Sequence, residues 1–115
     1  MEVELLGVAD CPHTGPASAL LRAALDDVGL TAVSFTTTVV DSLQQADSRG
    51  FIGSPTITVD GSDLFPEPGR QPALACRIYD HPGGNTGLPD LRDLKRALKR
   101  AADGRGGEGA GQSAR

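Results

Sequence analysis

Residues 3–28 read VELLGVADCPHTGPASALLRAALDDV, and the fold turns on this stretch. Val3, Leu5, Leu6 and Val8 make a short, nearly continuous apolar run, which suits a strand covered on both faces. From Pro16 the period changes. Ala17, Leu20, Leu21, Ala24, Leu25 and Val28 recur at helical spacing on one face, and Gly29 is placed to end the helix. Pro16 fits a first helical turn, where its missing N–H costs nothing; a start nearer Pro12, with Pro16 as a kink, is the alternative. Cys11-Pro12-His13-Thr14 therefore lies where the strand hands over to the helix.

Working outward, Val33, Phe35, Thr37 and Val39 alternate with Ala32, Ser34, Thr36 and Thr38, the pattern of a half-buried strand. Asp41 followed by Gln44 reads as a capping box for a short helix ending at Gly50. Thr56 to Val59 is a third strand, and Asp60-Gly61 a turn. Leu74, Cys76 and Ile78 alternate with Ala75, Arg77 and Tyr79, which predicts a fourth strand with the first set on its apolar face. Pro89 opens a last helix with Leu91, Leu94, Leu98 and Ala101 along one side. The order β-α-β-α-β-β-α predicts an α/β fold: a mixed four-stranded sheet with helices on both faces. The domain is expected over residues 1–102, followed by a disordered tail over 103–115, which holds five glycines and no large apolar residue.

Composition narrows the function. At 115 residues the chain is one domain's worth, and its net charge of −4 argues against a nucleic-acid partner. The basic cluster Lys95, Arg96, Lys99 and Arg100 has no aromatic residues for base stacking and reads as a solvated helix face. No apolar run is long enough to span a bilayer, and the acidic start Met1-Glu2-Val3-Glu4 is unlike a secretory signal. The expectation is a cytoplasmic protein with no membrane partner. No Gly-rich phosphate loop or Gly-x-Ser-x-Gly elbow is present, and no cofactor is expected.

Only Cys11 and Cys76 are available for thiol chemistry, too few for a secreted disulfide scaffold. An unperturbed thiol is about 3% ionised at pH 7. A helix N-terminus adds only about 0.3–1 kcal/mol of thiolate stabilisation. Further lowering at Cys11 would need the N–H groups of His13 or Thr14, the Thr14 hydroxyl, or a protonated His13, against the opposing charge of Asp10. The bland alternative for either cysteine is a small packed residue, and for Cys76, on a face with Leu74 and Ile78, that is the default.

Cys11-Pro12-His13-Thr14 at a helix start, Gly53-Ser54-Pro55-Thr56 before the third strand, and the later Cys76-Arg77-Ile78-Tyr79 resemble the thioredoxin superfamily. More narrowly they resemble its short bacterial, alkylmercury-lyase-like members. The resemblance spans roughly residues 3–102. It implies a thioredoxin-like topology, Cys11 as nucleophile, Pro55 as a cis-proline facing it, and the Ser54 backbone as the edge against which a partner peptide pairs. The chain departs from that pattern at Thr14, which stands where a dithiol member has its second cysteine and a mercury lyase its carboxylate.

The expected function is thiol–disulfide exchange with a protein or small-molecule thiol or disulfide, Cys76 being the candidate resolving thiol in place of the one missing at Thr14. Its two sulfurs can bond only if their Cα atoms come within about 7 Å. Without that, Cys11 can work through monothiol mixed disulfides. Two other classes remain open at this level: a non-catalytic binding module using the groove at Pro55, and a soft-metal or organomercurial site. Cys11, His13, Cys76 and His81 would supply ligands, though their spacings match no common zinc motif and no metal is expected.

Overall fold

The computed structural model describes residues 1–81 and 84–106. Its sheet is built from β1 (Val3–Gly7), β2 (Phe35–Val39), β3 (Thr56–Val59) and β4 (Ser62–Asp63), in the spatial order β2-β1-β3-β4. β1 runs parallel to β2, with Leu5 opposite Thr37, and antiparallel to β3, with Leu5 opposite Ile57. β3 and β4 form a hairpin across Asp60-Gly61, both at positive φ (52° and 84°), as a two-residue turn of this chemistry requires.

Three helices cover the sheet: α1 (Thr14–Asp27), α2 (Leu43–Arg49) and α3 (Leu91–Gly106). Successive strand residues point to opposite faces, so β1 feeds two cores. Val3 and Leu5 pack with Leu21 and Leu25 of α1, Ile57 and Val59 of β3, and Leu94 and Leu98 of α3. Leu6 goes the other way, against Val40, Phe51 and Ala46 of α2. Each buried leucine of this kind contributes about 1.5–3 kcal/mol.

The structure corrects four expectations. The segment 74–79 is not the fourth strand; the two-residue β4 is, and β5 (Tyr79–His81) instead pairs antiparallel with β6 (Gly84–Thr86) in a separate two-stranded sheet. The inward face of that segment is also reversed: Leu74 and Ile78 are exposed and Cys76 is exposed, while Arg77 and Tyr79 are buried. The α2 cap is one residue later than Asp41, with Ser42 Oγ accepting from the Gln45 N–H at 3.1 Å. Finally, α3 continues to Gly106, past the expected domain end at 102, and the rest of the expected tail lies outside the described residues. For α1, the start falls between the two alternatives, with His13 as N-cap and Pro16 inside the first turn.

Candidate functional site

The site begins where β1 ends. The chain turns sharply there, with Asp10 at φ 62° and the Cys11 N–H donating to the Val8 carbonyl at 3.3 Å. Asp is one of the few residues that visits this left-handed region readily. Cys11 comes out half-buried at the head of α1, beside the first unpaired N–H groups of the helix.

Facing it is the loop that leads into β3. The Ser54–Pro55 peptide bond is cis, and Ser54 is completely buried. Ser54 Oγ accepts from the Val8 N–H at 3.1 Å, which anchors the hydroxyl. Burial raises the Cys11 pKa, but this is outweighed by hydrogen bonds from the Ser54 hydroxyl, the His13 N–H, and the Thr14 hydroxyl and N–H, so the thiol lies below its ordinary value. Thr14 Oγ1 is itself buried and has no hydrogen-bond partner of ordinary geometry.

Glycine makes this convergence possible. A Cβ on Gly7 would stand 2.7 Å from Thr14 Oγ1 and 3.1 Å from Ser54 Oγ, so the two hydroxyls can meet beneath Cys11 only over a bare Cα. Gly87, after β6, plays the same part for His13. A Cβ there would come within 2.5–2.7 Å of the imidazole ring, which is thus pressed against Gly87 with its Nδ1 buried and unpartnered. A glycine inside a strand pattern signals such close approach, so Gly7 was open to detection; Gly87 carried no such signal.

Cys76 reaches the site through Ser54. Residues 73–77 run alongside 51–54: the Ala73 N–H donates to the Phe51 carbonyl at 3.3 Å, the Ser54 N–H to the Ala75 carbonyl at 2.8 Å, and the Arg77 N–H to the Ser54 carbonyl at 2.9 Å. The last two bonds make a parallel bridge with Ser54 opposite Cys76. The Ser54 edge that the sequence offered to a partner peptide is therefore occupied by the chain itself.

Arg77 anchors this strap. Its side chain is fully buried and donates to Asp63 at 2.8 Å, to Thr56 Oγ1 at 3.1 Å, to Glu67 and to the Phe65 carbonyl. It also lies 4.7 Å from the Tyr79 ring centroid, while the Tyr79 hydroxyl donates to the Pro55 carbonyl at 2.6 Å. A buried cation is tolerated because carboxylates and acceptors meet it on several sides. Burial drives the Tyr79 hydroxyl pKa upward, so it stays a donor to Pro55.

The soft-metal set is not assembled. His81 Nε2 is engaged by the Leu88 carbonyl at 2.5 Å and by Thr86 Oγ1 at 3.0 Å, and among the described residues no three His, Cys, Asp or Glu side chains form a group able to hold a metal ion. No described helix is long and apolar enough to cross a membrane. Comparison with known families, curated proteins and solved structures finds no match, so the geometry of the site carries the functional reading.

Proposed function

We propose that the chain is a thioredoxin-like thiol–disulfide exchange protein in which Cys11 is the nucleophile and Cys76 the resolving thiol. The observation that carries this is the placement of Cys11, half-buried at the head of α1 and facing the loop of the fully buried Ser54, where its pKa is held below the ordinary thiol value. Such a setting stabilises thiolate, the nucleophilic form, at the head of a helix. The sheet order β2-β1-β3-β4, with β1 antiparallel to β3, supports the topological half of the reading.

The role of Cys76 follows from its pairing. Residues opposite each other across a ladder carry their side chains on the same side, so Cys76 shares a side with the Ser54 hydroxyl, and that hydroxyl lowers the Cys11 pKa. Cys76 is exposed. In the exchange, the Cys11 thiolate attacks a disulfide and forms a mixed disulfide, releasing one thiol. Cys76 then attacks Cys11 Sγ, closing a Cys11–Cys76 bond and releasing the second thiol. The protein loses two electrons and two protons, and the substrate disulfide gains them.

The test is to mix the reduced protein with oxidised glutathione, quench with acid and map adducts by mass spectrometry. Glutathione should appear first on Cys11 and give way to the internal disulfide, whereas Cys76→Ser should accumulate the Cys11 adduct. Adducts confined to Cys76 would refute the assignment.

A further inference from the structure

Resting on the reading of Cys11 as an exchange nucleophile, we infer that its substrates are low-molecular-weight disulfides, and that the disulfides of extended polypeptides are excluded. An extended peptide binds by adding a strand to an open main-chain edge. At Ser54 that edge is closed from within: its N–H is given to Ala75 and its carbonyl is taken by Arg77, at 2.8 and 2.9 Å.

The strap that closes it is locked by two independent features. Arg77 lies so tightly over Gly53 that a Cβ on that glycine would stand 2.9 Å from Arg77 Cβ and 3.2 Å from its Cα. Gly53 also adopts φ 152°, a conformation that other residues rarely take. Below, the Arg77 guanidinium is 0% exposed and paired with Asp63 and Glu67. To admit a peptide at Ser54, the strap would have to draw this cation out of its carboxylates, and opening such a buried network is strongly unfavourable. Cys11 remains half-exposed, and sulfur–sulfur approach needs no main-chain pairing.

The step that this setting permits is simple. The Cys11 thiolate attacks one sulfur of R–S–S–R, the R–S–S–R bond breaks as the Cys11–S–S–R bond forms, and RS⁻ leaves to take up the proton that Cys11 released on ionising. No other oxidant or reductant enters.

The experiment mixes the reduced full chain separately with oxidised glutathione and with an extended peptide of about a dozen residues dimerised through one central disulfide. Each rate of Cys11 mixed-disulfide formation is divided by that of free cysteine with the same reagent, which removes intrinsic differences between the electrophiles. The normalised rate should be at least about tenfold higher for glutathione, and Gly53→Ala, which forces the strap away, should narrow the ratio. If that variant fails to fold, the ratio in the unaltered chain decides alone. Equal normalised rates would overturn the inference while leaving Cys11 an exchange nucleophile. Failure of Cys11 to react with either reagent would overturn both.

Discussion

Ser54 and Cys76 face each other across a parallel bridge, and the side chain of the same Ser54 lowers the pKa of Cys11. One buried serine thus lies next to both cysteines, through its main chain and its side chain. Its main chain holds the strap that carries Cys76, and its side chain lowers the pKa of the thiol at the head of α1.

Ser54→Ala removes the hydroxyl that lowers the Cys11 pKa and leaves the half-buried Val8 N–H without its acceptor. A charge-assisted bond is worth about 1.5 kcal/mol or more, so alkylation of Cys11 by iodoacetamide at neutral pH should slow by about tenfold. The orphaned N–H should cost a further 1–3 kcal/mol or so of stability. An unchanged alkylation rate would show that the hydroxyl does not act on the sulfur.

The lowered Cys11 pKa also fixes a sign for stability. Between the folded value and the unfolded value of about 8.5, the unfolded chain binds the extra proton, so stability rises with pH in that window. The gain is complete above the unfolded value and is lost as pH falls through the folded one. Urea unfolding of the reduced protein should show its advantage over Cys11→Ser growing as pH rises towards the unfolded value of about 8.5. An advantage that shrinks over this range would contradict the assignment.

Arg77→Met keeps the volume and deletes the charge that Asp63 and Glu67 surround. Breaking a buried pair from one side costs about 3–5 kcal/mol, and this variant should lose that much in denaturant unfolding. Because Arg77 anchors the strap, amide exchange at Ser54 and Arg77 should accelerate together. A neutral effect would mean that the network does not hold the strap.

These residues also show where sequence patterning was sufficient. Cys11 at a strand-to-helix junction and Pro55 at the head of a strand were legible because the signals are local. Arg77 was not. Its carboxylates lie 14 and 10 residues back along the chain, and no local pattern announces that a charged side chain will find them. Alternation therefore placed Leu74, Cys76 and Ile78 inside, and the pairing with Ser54 turned the segment over by one residue. β4 was missed for another reason: two residues are too short to show any period.

Gly87→Ala should disturb His13 without unfolding the chain. The three atoms nearest the new Cβ all belong to the imidazole, at 2.5–2.7 Å, and a side chain can swing aside. The expected cost is below about 1 kcal/mol, with a large change in the His13 ring resonances by NMR. Resonances left in place would show that Gly87 does not press on the ring.

The pairing of Cys11 with Cys76 is tested most directly by equilibrating the protein in buffers of stepped thiol redox potential, quenching with an alkylating agent and mapping both cysteines by mass spectrometry. The account expects a reversible Cys11–Cys76 disulfide with a single two-electron midpoint, lost in Cys76→Ser. Cysteines that stay free, or form only mixed disulfides across the whole range, would contradict it.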